Sequence, residues 1–221
     1  MRVLGAVAVI ASGLLLSPAG EPAAFPDQCP DVEVVFARGS SEPPGVGQIG
    51  QSFVDALRWQ VGGRSYAVYP VNYPALPDFA TTADGVVDAG NHVRDTAANC
   101  PNTEIVLGGF SRGAAVIGYV TEPAGPTGAL APEVADHVAA VVLLGKPSNE
   151  LLTSRGVPPI VIGPGYAGKT IDLCAPGDPV CSAGLDDAAH ASYAVNGMTG
   201  QAADFAAQHL RPPETGPGQP V

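Results

Sequence analysis

The sequence predicts an α/β fold with three layers, α/β/α, around a central, mostly parallel five-stranded sheet. Three observations lead to this fold class. Five short apolar runs have the composition of buried strands, helical stretches alternate with them, and neither a linker nor an internal repeat divides the 221 residues. Strands that alternate with helices form parallel sheets through right-handed crossovers. A single domain is therefore expected.

The predicted strands are short, rich in β-branched residues and apolar almost throughout, which is typical of a parallel sheet covered on both faces. They are Val32–Arg38, Tyr66–Val71, Glu104–Phe110, Val138–Leu144 and Thr170–Leu173. The helices are predicted between them. One follows from apolar residues spaced four apart from Ile49 to Val61, and another from the apolar face of Thr81–Asn99.

The charge balance limits the partners that the protein can bind. There are 10 Lys and Arg against 21 Asp and Glu, which gives a formal net charge of −11. A chain this acidic does not attract phosphate backbones, so no nucleic-acid partner is expected. Lysine occurs only as Lys146 and Lys169, so there is no polybasic segment for anionic lipid either.

The two ends of the chain are predicted to lie outside the folded domain. Arg2, the apolar run Val3–Leu16 and the small residues after it form a secretory signal-peptide pattern over residues 1–24. The run is shorter than the about 20 residues that span a bilayer, so no transmembrane anchor is expected, and a buried helix is the alternative. The domain is then 25–210, followed by a disordered Pro/Gly-rich tail, 211–221. The signal-peptide pattern therefore predicts a secreted or cell-wall-associated protein.

Four cysteines remain after removal of the signal peptide: Cys29, Cys100, Cys174 and Cys181. An even number in an exported chain favours two disulfides, with three possible pairings. Because Cys174 and Cys181 bracket a short loop, they are predicted to pair with each other, which leaves Cys29 for Cys100. No Cys or His cluster has the spacing of metal ligands, so no metal site is predicted.

Residues 109–113 read Gly-Phe-Ser-Arg-Gly, a G-x-S-x-G motif. The pattern alone is weak in a glycine-rich chain, but it follows the strand Glu104–Phe110 and precedes an apolar helix start. A strand, a sharp turn and a helix are the context of a nucleophile elbow. Such a turn lifts the Ser111 hydroxyl to a helix N-terminus, where free amides favour a developing oxyanion. The alternative is an ordinary Gly-rich turn.

A serine nucleophile needs a general base and an acid that orients the base. Among the histidines after Ser111, His190 lies past the fifth strand, on the sheet edge where Ser111 emerges. His137 precedes a strand at the opposite edge, and His209 ends the last helix. His190 is therefore the predicted base.

Asp178 is the predicted acid because it follows the fifth strand inside the bracket formed by two cysteines, which would fix its loop. Asp172 lies within the strand and is the alternative, although it reads equally well as a structural carboxylate. Asp186 and Asp187 are expected to cap a helical turn.

A second glycine pattern is expected to carry no cofactor. Gly45–Gly50 matches the dinucleotide fingerprint G-x-G-x-x-G, but Arg38–Pro44 separates it from the preceding strand. Asn72 stands where that fingerprint requires an acidic residue. No nucleotide, and no other cofactor, is predicted.

These motifs together resemble the cutinase family of secreted serine esterases, which are α/β-hydrolases without a large lid. The resemblance covers nearly the whole mature chain. It is carried by Cys29, Ala37-Arg-Gly-Ser-Ser-Glu42, Gly109-Phe-Ser-Arg-Gly113, Asp172-Leu-Cys-Ala-Pro-Gly-Asp-Pro-Val-Cys181 and His190.

The resemblance implies Ser111 as nucleophile, Asp178 as acid and His190 as base, and it implies the two disulfides given above. It also implies an oxyanion hole formed by Ser40, through its amide and hydroxyl, and by the Arg112 amide. The implied reaction is hydrolysis of acyl, lipid or polyester esters through an acyl-enzyme, by a monomer without cofactor. An acetylxylan-type polysaccharide deacetylase and a cell-surface binding protein with a decayed hydrolase site are the alternatives.

Two positions depart from the family pattern, which usually reads G-Y-S-Q-G. Here Phe110 replaces the tyrosine and Arg112 replaces the glutamine. We predict that the Arg112 side chain biases the site toward esters that carry a nearby anion. The alternative is that it points away and pairs with a surface acid. Candidate walls for the acyl group are the loop Val71–Pro77 and the stretch near Leu185, although these apolar residues could equally belong to the core.

Overall fold

The computed structural model describes residues 29–123 and 130–212. The predicted signal peptide and positions 213–221 of the predicted tail lie outside these residues. The strands are β1 (Val32–Ala37), β2 (Tyr66–Pro70), β3 (Glu104–Phe110), β4 (Val138–Leu144) and β5 (Thr170–Leu173). The helices are α1 (Gly47–Gln60), α2 (Thr82–Asn99), α3 (Arg112–Val120), α4 (Asn149–Ser154), α5 (Pro164–Ala167), α6 (Asp187–His190) and α7 (Met198–His209), and a 3₁₀ turn spans Pro132–His137.

The five strands form one sheet in the order β2-β1-β3-β4-β5, and every neighbouring pair is parallel. This arrangement confirms the predicted fold class. Because all strands run the same way, β1, β3 and β5 end at the same edge of the sheet. The loops that follow these strands carry Ser40, Ser111 and Asp178.

Alternate side chains of the sheet pack against different helices. Val34, Phe36 and Val142 face the layer that contains α1 and α7. Val35 and Leu107 face α2 and α3 on the other side. The sheet is therefore covered on both faces, which explains why its strands are apolar almost throughout.

The glycine pattern at Gly45–Gly50 serves packing at the start of α1. The Glu42 carboxylate accepts hydrogen bonds from the amides of Gly39 (2.7 Å) and Gln48 (2.8 Å). A side chain at Gly47 would collide with that carboxylate, and one at Gly50 would collide with Phe36. The protein's own carboxylate thus occupies the helix N-terminus at which a dinucleotide would place its phosphates.

Both predicted disulfides are present, Cys29–Cys100 across 71 positions and Cys174–Cys181 across 7. Arg211, placed at the start of the predicted disordered tail, is held in position. Its amide donates to Glu104 Oε1 (2.8 Å) and its guanidinium to the Asn102 carbonyl (2.9 Å). Among the helices within 29–123 and 130–212, none is both long and apolar enough to cross a bilayer.

Candidate active site

Ser111 occupies a strained turn between β3 and α3. Its backbone has φ +55° and ψ −122°, a conformation that L-residues rarely adopt. Its amide donates to the Leu144 carbonyl at the end of β4 (2.8 Å). The flanking glycines are required by close approach, because a Cβ at Gly109 would lie 2.3 Å from the Gly113 carbonyl oxygen, and one at Gly113 would lie 1.9 Å from the Ala37 oxygen. This is the geometry expected of a nucleophile elbow.

The structure brings together the three side chains that the sequence singled out. His190 Nε2 lies 2.9 Å from Ser111 Oγ, and His190 Nδ1 lies 2.8 Å from Asp178 Oδ2. His190 is the last residue of the short helix α6, which Asp186 caps by accepting from the Ala188 amide (3.0 Å). The expected cap is therefore confirmed for Asp186, whereas Asp187 is the first residue of the helix.

The Asp178 carboxylate is fully buried and has a partner on each oxygen. Its Oδ1 accepts from the Val180 amide (2.8 Å), and its Oδ2 accepts from His190 and from the Tyr193 hydroxyl (2.7 Å). The main chain of Asp178 is also fixed, since its amide donates to the Ala175 carbonyl and its carbonyl accepts from Ser182. These donors fix the orientation of the buried carboxylate.

Two aromatic side chains surround the His190 ring. The Phe110 ring stacks on it with centroids 5.0 Å apart, and Tyr193 approaches it edge-on at 6.4 Å. Sequence reasoning gave neither residue this role. The only signal was an aromatic residue three positions after the predicted base, which is too common a pattern to single out Tyr193.

The predicted oxyanion donors are the amides of Ser40 and Arg112. The residues on either side of Ser40 are held by hydrogen bonds, and Arg112 begins a helix. On either side of Ser40, the Gly39 amide donates to Glu42 and the Ser41 amide donates to the Ala75 carbonyl (2.7 Å). The Ser40 amide itself has no acceptor in the described part of the chain. Arg112 is the first residue of α3, and such amides have no acceptor within the helix.

The burial of the Arg112 side chain contradicts the alternative that it points away, whereas its effect on anionic esters stays a prediction. The side chain is 2% exposed, so it does not point away to pair with a surface acid. One Nη donates to the Asp78 carbonyl, and the guanidinium carbon lies 5.8 Å from the centroid of the Tyr73 ring. Its Nε and second Nη have no acceptor within 29–123 and 130–212. Arg112, the residue after Ser111, therefore carries a buried charge that lies against the loop after β2.

The loop after β2 is held against this arginine and a second one. Arg38 donates to the carbonyls of Glu42 (3.0 Å), Val71 (3.3 Å) and Tyr73 (2.6 Å). The Tyr73 hydroxyl donates back to the Arg38 carbonyl (2.5 Å). Burial raises the pKa of Tyr73, and the nearby Arg112 and Arg38 oppose the shift.

The predicted acyl-pocket walls divide into two groups. Val71, Tyr73 and Ala75 are buried in the core beside α2 and α3, which is the alternative that the sequence left open. Leu76 is 48% exposed and Leu185 is 96% exposed, on loops that follow β2 and β5. Both loops leave the sheet at the edge that carries Ser111.

The rejected candidates have structural partners. Asp172 Oδ2 lies 3.3 Å from Lys146 Nζ, and burial raises the pKa of Asp172 although Lys146 opposes the shift. His209 Nδ1 donates to the Phe205 carbonyl one turn earlier in α7 (2.9 Å). His137 ends the 3₁₀ turn before β4, at the opposite edge of the sheet.

With this geometry established, comparison with known proteins gives a consistent result. The family model described as Cutinase matches residues 28–210. Carboxylesterase Culp1 of Mycobacterium tuberculosis is 50% identical over 214 residues, which cover 95% of each chain. Phospholipase Culp4 of the same species is 47% identical over 211 residues, covering 94% of this chain and 90% of its own. A solved Trichoderma reesei cutinase in complex with a phosphonate inhibitor has a TM-score of 0.68 and 30% identity, covering 83% of this chain and 78% of its own.

The chain belongs to the cutinase family, as the sequence resemblance indicated, and is a carboxylic ester hydrolase of the cutinase type.

Proposed function

We propose that the chain is an exported serine esterase whose catalytic triad is Ser111, His190 and Asp178, in a single catalytic domain over 25–210. The observation that carries the triad is the unbroken hydrogen-bonded path from Ser111 Oγ through both nitrogens of His190 to Asp178 Oδ2, at 2.9 and 2.8 Å. Export is supported by the signal-peptide pattern and by two disulfides, which form in oxidising compartments.

In the first half of the reaction, Ser111 Oγ attacks the ester carbonyl while its proton passes to His190 Nε2. Asp178 accepts from the Nδ1 proton and stabilises the imidazolium that results. As the tetrahedral intermediate collapses, His190 gives its proton to the leaving alkoxide, and the alcohol departs. The product of this half is an acyl ester on Ser111.

In the second half, water attacks the acyl carbon while His190 removes its proton. The second intermediate expels Ser111, which regains a proton from His190, and the carboxylic acid leaves. The amides of Ser40 and Arg112 are the proposed oxyanion donors in both halves. One such donor contributes about 3–4 kcal/mol to transition-state stabilisation.

Acyl esters longer than acetate are the favoured substrates. Leu76 and Leu185 offer exposed apolar surface on the loops of the Ser111 edge, which suits a chain of methylene groups. The relatives are named a carboxylesterase and a phospholipase, and both names fit this choice. The net charge of −11 disfavours strongly anionic surfaces.

The test is a panel of p-nitrophenyl esters of increasing acyl length, hydrolysed by the wild type, Ser111→Ala and the matched control Ser154→Ala. Ser154 is an exposed serine on α4. We expect kcat to fall by about 10³-fold or more in Ser111→Ala and to stay unchanged in the control. The enzyme is purified from culture medium, where its N-terminus is expected within residues 21–25.

The panel also decides between the substrate classes. A rate that rises above acetate supports the acyl-ester assignment, whereas preference for acetate together with release of acetate from acetylxylan supports a polysaccharide deacetylase. Turnover that persists in Ser111→Ala contradicts the triad. A wild type without turnover and without fluorophosphonate labelling of Ser111 indicates a binding protein instead.

A further inference from the structure

We propose that Tyr193 is a positioning residue for the catalytic acid, and that its hydroxyl sets how firmly His190 holds its proton. This inference rests on the proposed triad. Tyr193 Oη lies 2.7 Å from Asp178 Oδ2, the same oxygen that receives the His190 Nδ1 proton at 2.8 Å. One carboxylate oxygen is therefore shared between the base and a phenol, and neither Tyr193 nor Asp178 is exposed to solvent.

The direction of the Tyr193 hydrogen bond is fixed by a second contact. The Ala175 amide donates to Tyr193 Oη (2.9 Å), which uses a lone pair of the phenol oxygen. The phenol proton is then free to point toward Asp178. Burial raises the pKa of Tyr193 above its ordinary value, so that the group remains a donor over the working pH range.

Tyr193 also connects the acid to the disulfide-closed loop. Its donor Ala175 directly follows Cys174, and its Oη lies 3.5 Å from Cys181 Sγ. A Cβ at Gly145 would lie 3.0 Å from Tyr193 Oη and 3.2 Å from Asp178 Oδ2. The strand end at Gly145 thus packs closely on this pair and has no side chain that could supply another donor.

A donor on Asp178 changes the proton affinity of His190 in a definite direction. A hydrogen bond stabilises the ionised carboxylate and draws its charge away from the imidazole. Without the phenol, Oδ2 interacts more strongly with the imidazolium, so His190 keeps its proton to higher pH. The carboxylate also loses a constraint on its orientation, which lowers kcat.

The other charged groups around Asp178 and Tyr193 are the same in the wild type and in the variants compared below. The negative charge of Asp172, on β5, contributes to the raised pKa of Tyr193. Asp172 is itself paired with Lys146, which follows β4. Arg112 is the first residue of α3, and its guanidinium lies against the loop after β2. Asp186 and Asp187 lie at the start of α6.

The experiment measures kcat/KM against pH for the wild type, Tyr193→Phe and the matched control Tyr66→Phe. Tyr66 donates to the Val54 carbonyl (3.1 Å) and belongs to the edge strand β2, which β1 separates from β3 and Ser111. In Tyr193→Phe we expect the acid limb to move upward by about half a pH unit or more, with kcat reduced about 10-fold. In Tyr66→Phe the limb stays in place.

A second variant keeps the inference testable if the first does not fold. Replacement of Tyr193 by 3-fluorotyrosine preserves its shape and makes the phenol a stronger donor, so the acid limb is expected to move to lower pH. Shifts of opposite sign support a tuning role, since a purely structural residue would not produce them.

An acid limb that stays at the wild-type position in folded Tyr193→Phe, or in the fluorotyrosine protein, overturns the inference. Failure of the triad is recognised separately, because turnover would then survive in Ser111→Ala.

Discussion

The two sides of Ser111 are stabilised in different ways. On the acid side, formed by Asp178, His190, Tyr193 and the Cys174–Cys181 loop, both carboxylate oxygens of Asp178 have donors. On the loop side, formed by Arg38, Tyr73, Arg112 and the Asp78 carbonyl, two buried arginines have no carboxylate partner in the described part of the chain. They rely on main-chain carbonyls and on the Tyr73 ring, at 5.1 Å and 5.8 Å from the guanidinium carbons.

We infer from this difference that catalysis depends on the precise geometry of the acid side, whereas the loop side is not fully stabilised. A completed network fixes one orientation, because every alternative leaves a buried charge unsatisfied. A buried cation with unpaired donors costs free energy, and the cation–π contacts return only about 0.5–2 kcal/mol each. We therefore expect substitutions on the acid side to affect turnover most, and those on the loop side to affect selectivity.

The largest effect is expected for Asp178→Asn. The amide occupies the same volume but cannot fix the His190 tautomer in which Nε2 accepts the Ser111 proton. Loss of this tautomer lowers kcat by about 10⁴-fold in the well-studied protease case. Steady-state kinetics on the best ester of the panel measures the loss.

The control for this substitution is Asp172→Asn, which changes a carboxylate on β5, the strand before the Asp178 loop, that pairs with Lys146 instead. A change of less than a few-fold is expected there. Equal losses in the two variants would mean that the acid-side network does not act through His190.

Removal of either disulfide is expected to have an effect of intermediate size, one mainly on turnover and the other mainly on stability. Removing Cys174–Cys181 by paired Cys→Ala changes frees the Asp178 loop, and kcat is expected to fall about 10- to 100-fold. Removing Cys29–Cys100 opens a far longer loop, and this disulfide lies at the edge where the strands begin, opposite the edge that carries Ser111. The chain-entropy estimate is about 2.5 kcal/mol for the 7-position separation and about 4.4 kcal/mol for the 71-position separation.

Urea unfolding monitored by circular dichroism, together with kcat, separates the two effects. The Cys29–Cys100 variant is expected to lose more stability while keeping its turnover per folded molecule. If the Cys174–Cys181 variant keeps wild-type kcat, the short disulfide does not hold the acid in place.

The sequence predicted the acid side better than the loop side, for a physical reason. Ser111, Asp178 and His190 are recognisable because chemistry restricts their residue types and because parallel strands end at one edge. Three of the five strands have the predicted bounds, and β1 and β2 are each one residue shorter. Patterns of apolar residues determine such elements locally.

The loop side could not be read in this way. The position of the Arg112 side chain depends on a loop more than 30 residues earlier, whose carbonyl at Asp78 it contacts. In the sequence Tyr73 is one apolar residue among several, and no nearby residue indicates that the guanidinium groups of two arginines lie over its ring. The role of Tyr193 could not be predicted for the same reason, since it depends on contacts with Ala175 and Asp178 in a separate loop.

The smallest effect is expected for Arg112, and it is the most informative about selectivity. Arg112→Gln removes the buried charge of the residue that follows the nucleophile, whereas Arg112→Lys retains it. With an effective dielectric between about 20 and about 80, a charge about 8 Å from a substrate anion changes its binding by about 0.5–2 kcal/mol. The ratio of kcat/KM for a succinate monoester to that for neutral butyrate should therefore fall about 3- to 10-fold in Arg112→Gln and much less in Arg112→Lys.

The comparison with lysine distinguishes charge from support of the loop. If the guanidinium acts only by binding the Asp78 carbonyl, both variants should lose neutral and anionic ester hydrolysis alike, and the ratio should not change. A ratio that follows the charge would assign substrate discrimination to the loop side and proton transfer to the acid side. Since the Arg112 amide is the proposed oxyanion donor in every variant, the rate on the neutral ester reports directly whether that amide remains in position.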